Sequence, residues 1–130
     1  MRWLCALLWL FPAPLMAQMP LELPAGAVET ASETTDPGSY ALPIGEFGPE
    51  ARPVRPLEGR ISLRAWRTPA DRSDTLVILR ALRPQILEAG FAPLFECETQ
   101  GCGGFDFRFG TRVLPPPAFE FDLTDFRFLA

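Results

Sequence analysis

The chain has 130 residues, 48% of them apolar and 22% charged, which is enough for one domain with a core of its own. It contains no histidine, which removes the commonest general base and the commonest metal ligand, and its net charge of -4 argues against a nucleic-acid partner. Fifteen prolines argue for long irregular segments and against an all-helical bundle.

Met1–Ala17 reads as a secretory signal peptide. Arg2 supplies a positive start, Trp3–Phe11 is a continuous apolar run, and Leu15-Met16-Ala17 ends on a small residue ahead of Gln18. The run is shorter than the roughly 20 apolar residues that a membrane-spanning helix needs. Pro12 and Pro14 also break it early, so an uncleaved anchor is the lesser alternative. Cys5 leaves with this segment, and the remaining pair, Cys97 and Cys102, points to one disulfide in an exported chain.

Gln18–Ser39 reads as a flexible acidic leader. It carries Glu22, Glu29, Glu33 and Asp36 with no basic residue and has little apolar surface to offset its chain entropy. Tyr40–Ile44 is a short edge strand, held off a central position by Pro43. Gly45–Pro56 is a loop. Glu58–Trp66 is a half-buried strand, with Ile61, Leu63 and Ala65 alternating with Arg60, Ser62 and Arg64. Six arginines between Arg52 and Arg72 make this region basic; a solvated sheet face is favoured over an anion-binding surface.

Ser73–Ala89 reads as the one helix. Ser73 or Asp74 is placed to cap it, Leu76, Leu79 and Ile86 recur at helical spacing, and Gly90 suits the left-handed position beyond its end. Pro84 is the difficulty, since an interior proline removes a backbone donor at a cost of about 3 kcal/mol. A kinked helix is expected, and a helix starting only at Pro84 is the alternative.

Phe91–Glu98 is read as a strand running into Cys97, and Gly104–Val113 as a second one, with Phe105, Phe107 and Phe109 on one face. Between them lies the bend Cys97-x4-Cys102 with Gly101, Gly103 and Gly104. Zinc would need more ligands than are present, a thioredoxin-like centre wants C-x-x-C, and a cysteine nucleophile wants a base. A structural disulfide is therefore expected, closing a short loop and contributing about 2 kcal/mol. Pro115-Pro116-Pro117 ends the second strand. Phe119–Phe128 alternates again but slips phase at Thr124-Asp125, where a bulge or tight turn is needed. The lesser reading of these aromatics is a pair of outer-membrane barrel strands. Glu96, Glu98, Asp106, Glu120, Asp122 and Asp125 have no catalytic or calcium-binding spacing.

Five short stretches carry a family resemblance: Tyr40-Ala41-Leu42-Pro43, Glu58-Gly59-Arg60, Leu87-Glu88-Ala89-Gly90-Phe91, Leu94-Phe95-Glu96-Cys97 and Cys102-Gly103-Gly104-Phe105. Over about Tyr40 to Ala130 the chain resembles the N-terminal periplasmic region, of the DUF4892 kind, of OmpA-family envelope proteins of Gram-negative bacteria. The resemblance implies a following C-terminal OmpA-like domain that binds peptidoglycan; nothing before Ala130 matches that domain's motif. The expected molecule is a small exported α+β domain (residues 40–130). It has an antiparallel sheet, one helix packed on the phenylalanine face and the Cys97–Cys102 disulfide. No catalytic residue, cofactor or metal is expected. Its expected role is a non-enzymatic periplasmic module, structural or in contact with other envelope components. A stand-alone periplasmic binding or inhibitor domain is the alternative, and a redox enzyme the least favoured reading.

Overall fold

The computed structural model describes residues 20–72, 74–120 and 122–130; the expected signal segment, Met1–Ala17, lies outside them. The first element overturns the flexible leader from Val28 to Ser39, and Gln18 and Met19 lie outside the described residues. Strand β1, Val28–Pro43, pairs antiparallel with β2, Val54–Arg67, in a register running from Val28 opposite Arg67 to Pro43 opposite Val54. The first half of β1 is polar, but it gains a partner. Ala31, Glu33 and Thr35 lie opposite Ala65, Leu63 and Ile61, and on the other face the Thr34 hydroxyl meets that of Ser62. Cross-strand pairs of this kind stabilise a strand whose own composition reads as disordered. One residue is accommodated as a bulge between Thr35 and Gly38, where Pro37 has no N–H to give to the ladder.

The connection between β1 and β2 is not a plain loop. It inserts Phe47 into the core at 2% exposure, and the Phe47 N–H donates to the Cys102 carbonyl at 2.8 Å. After β2 the chain enters helix α1, Thr75–Glu88. One oxygen of Asp74 accepts from the N–H groups of Leu76 and Val77 at 2.9 and 3.0 Å, satisfying two free donors of the first turn. The helix runs through Pro84, so the later start is not what forms. It ends as expected: Gly90 has φ 89°, its N–H donates to Leu87, and the Phe91 N–H donates to Ile86.

Beyond α1 the two phenylalanine-rich strands are largely replaced. From Phe91 to Glu98, only β3, Glu96–Glu98, is a strand, paired with β4, Arg127–Leu129, so that Cys97 faces Phe128. Pro93 cannot donate to a ladder, and the chain before β3 is held instead by bonds from Leu94 and Phe95 to the Ala130 carbonyl. A 3-10 turn, Thr99–Cys102, leads into helix α2, Gly104–Gly110. The run GFDFRFG, read as a strand by its alternation, is thus helical. At about 100° per residue, Phe105 and Phe109 share one face and Phe107 takes the opposite one. Phe107 is 3% exposed, whereas Phe105 and Phe109 remain 66% and 63% exposed. Phe119–Phe128 is likewise not one strand. Its phase slip is a tight turn in which Asp125 donates to the Asp122 carbonyl, and only its end joins β4.

The α+β class, the antiparallel pairing and the Cys97–Cys102 disulfide are as expected; the sheet is divided into two two-stranded sheets, and α2 is a second helix. Phe47, Cys102, Phe107 and Phe126 form the buried cluster, with Phe95, Cys97 and Phe128 packed against it. Among the described residues, no helix is long and apolar enough to cross a membrane.

Candidate functional site

Cys97 and Cys102 are joined, with Cα atoms 5.1 Å apart, and Cys102 is fully buried. The bend ties the end of β3 to the turn before α2. It thereby fixes Phe107 among Phe47, Phe126 and Phe128, with ring centres 5.0, 6.2 and 4.9 Å away. Gly103 adopts φ 112° and lies so close to the Phe47 backbone that a Cβ there would overlap its carbonyl oxygen. These contacts make the bend a joint between the β1–β2 connection and α2.

The carboxylates are dispersed. Glu96 pairs with Arg83, Glu98 with Arg127, and Glu33 with Arg112 at 2.9 Å. Glu120 faces Arg67 at 3.9 Å, and Glu29 faces Arg64 at 4.0 Å. Among the described residues, no three His, Cys, Asp or Glu side chains come together in a way that could hold a metal. The arginines of β2 are divided as the strand pattern implies: Arg60 and Arg64 occupy its polar phase and are exposed.

The concave feature lies elsewhere. Helix α1 buries no side chain completely, because its inner face does not close down on the phenylalanine cluster. A cavity of about 370 Å³ remains between Ile78, Leu79 and Leu82 of α1 and Phe107, Phe126 and Phe128 opposite. A second recess of about 390 Å³ adjoins it and shares Thr75, Phe119, Glu120 and Asp125 as walls. Trp66, Arg67, Thr68, Ala118 and Asp122 complete that recess, which is polar where the first is apolar.

The shared wall is built by the turn after the proline run. The Asp122 Oδ1 accepts from the Thr124 N–H at 2.7 Å and from the Thr124 hydroxyl at 2.6 Å. These bonds, side chain first, hold its carboxyl below the ordinary value of 3.8. The Asp125 Oδ1 accepts from the Thr75 hydroxyl at 2.6 Å, tying the turn to the start of α1. Sequence reasoning read Leu79 as part of the apolar spacing of α1, and Asp122 and Asp125 as carboxylates with no catalytic or calcium-binding spacing. It missed the groove, because no periodicity states how far apart two apolar faces will stand.

Comparison with protein-family models, with curated proteins and with solved structures finds no match to this chain.

Proposed function

We propose that the chain is a non-enzymatic, exported module of an OmpA-like cell-envelope protein that works by contact with another envelope component. The observation that carries this reading is the open groove between α1 and the phenylalanine cluster. A helix whose apolar face stays half-covered leaves a concave surface of the size that ligands occupy, roughly 300–1,000 Å³. The Cys97–Cys102 disulfide supports an oxidising compartment. The Met1–Ala17 segment supports export to it, and the five family-like stretches support the OmpA-like context.

Fusing the chain ahead of a bacterial alkaline phosphatase, which becomes active only where its disulfides form, tests the export. Active fusions are expected, and inactive fusions with the protein retained in the cytoplasm would overturn the reading. The peptidoglycan contact of the resembled family belongs to its C-terminal domain, so purified chain should stay in solution when mixed with peptidoglycan sacculi. Co-sedimentation would show that this region binds the cell wall itself.

A further inference from the structure

We propose that, in the uncleaved chain, the groove is filled by the chain's own apolar run, residues 3–11, and that the cut ahead of Gln18 opens it. The inference rests on the groove as the contact site and adds how access to it is controlled.

The point of attachment comes first. Residues 1–19 precede Pro20, where the described chain begins. Just after that point the Glu22 N–H donates to Gln85 Oε1 at 2.7 Å, and Gln85 Nε2 donates to the Glu22 carbonyl at 3.0 Å. Gln85 follows Ile78, a wall of the groove, by seven residues of α1. Seven residues make nearly two turns, so both side chains leave α1 on the same side, about 10 Å apart along its axis. The chain ahead of β1 is therefore pinned to the helix that walls the groove, on the groove's side of it. Leu21 and Leu23, on either side of Glu22, are already half-buried. Phe11 stands nine residues before Pro20. Nine residues reach up to about 30 Å, which covers the whole length of α1, about 21 Å.

Composition selects this occupant. Residues 3–11 are apolar throughout, with no charge and no proline. The groove offers Ile78, Leu79 and Leu82 on one side and Phe126 and Phe128 on the other. Its charged wall residues come as two of each sign, Arg108 and Arg127 against Glu120 and Asp125, so an uncharged occupant needs no counter-ion. Seating tryptophan and leucine side chains there removes apolar surface from water on both partners. Attachment to the same chain supplies an effective concentration on the order of millimolar, so a weak contact suffices. Cutting the link removes that advantage. The same contact then becomes bimolecular, the released segment departs, and the groove stands open to an envelope component.

Tryptophan fluorescence of the full chain tests the proposal. Trp3 and Trp9 are two of the chain's three tryptophans, so Trp66→Phe leaves reporters in the segment alone. In the monomer, isolated by gel filtration, blue-shifted emission is expected. Acrylamide should quench it severalfold less than in the same chain carrying Leu79→Glu, which puts a charge on the groove wall. Leu7→Glu with Leu10→Glu, placed in the segment itself, should expose the tryptophans equally, and melting curves confirm that each variant folds. Cleavage by signal peptidase should raise quenching to the same level. Freely quenched tryptophans in the folded monomer would overturn the proposal. So would shielding that survives Leu79→Glu or the cut, or shielding found only in dimers. An inactive phosphatase fusion with the tryptophans shielded counts against export alone; an active fusion with them exposed counts against this masking alone.

Discussion

At the scale of single residues, Phe107 carries the largest share of the packing, because its ring is shared by Phe47, Phe95, Phe126 and Phe128. Phe107→Ala should cost about 3–5 kcal/mol in urea denaturation. Phe105→Ala, two positions away on the exposed face, should cost about 1 kcal/mol, mostly its tilted ring contact with Phe109. In a strand the two rings would share a face and the costs would be similar. Gly103 offers a second contrast. Gly103→Ala should destabilise by about 1–3 kcal/mol, because φ is positive and the Phe47 carbonyl occupies the space. Gly101→Ala, in open space, should change little. Tyr40 is the chain's single tyrosine, so its ionisation is directly visible in phenolate absorbance. Burial raises its pKa above 10.0, only partly offset by Arg112, and its hydroxyl donates to the Arg112 carbonyl at 3.0 Å. The folded state thus favours the neutral phenol. The stabilisation it gives is present below the unfolded pKa and is lost as pH rises through the folded one. A midpoint at or below 10 would contradict this.

At the scale of elements, the sequence was informative where local rules act alone. Asp74 and Gly90 bound α1 as capping chemistry requires, and the alternation of Ile61, Leu63 and Ala65 marked β2. It was misleading where tertiary contacts decide. In GFDFRFG the period-two pattern is too short to exclude a helix. The disulfide and the left-handed Gly103 set the chain's direction, and the helix then ends as the Thr111 hydroxyl and N–H both donate to the Phe107 carbonyl at 2.7 and 2.9 Å. Val28–Ser39 misled for the opposite reason: a polar segment becomes a strand through a partner 28 residues away at Thr34–Ser62. Phe47 gave no signal, since a lone aromatic between glycines and prolines has no periodicity to interpret. Pro84 makes the element-scale prediction. It leaves the Arg80 carbonyl without its usual donor, so Pro84→Ala should stabilise the protein by up to about 3 kcal/mol in thermal melts. An unchanged or lowered melting temperature would mean that the proline is accommodated without cost.

At the scale of the whole molecule, the two small sheets are joined less by their own pairing than by what lies between them. Phe47 carries the β1–β2 connection into the cluster beneath β3 and β4. Arg112, from the segment after α2, reaches Glu33 and the Ser39 carbonyl on β1. The Gln85 side chain of α1 both donates to the Glu22 carbonyl and accepts from its N–H, fastening the chain ahead of β1. These links hold the frame while α1 stands off the phenylalanine cluster and leaves the groove open. The disulfide lies at the centre of that frame, and its loss should cost about 2 kcal/mol, read as a shift in the urea midpoint of the Cys97→Ser, Cys102→Ser variant. We propose that this frame serves an oxidising, extracytoplasmic setting. Mass spectrometry of non-reduced tryptic peptides, from cells fractionated with thiols blocked at lysis, tests it most directly. An N-terminal peptide beginning at Gln18 and a Cys97–Cys102 linkage, both in the envelope fraction, are expected. Blocked free thiols at both cysteines, in a cytoplasmic chain that retains Met1–Ala17, would contradict it.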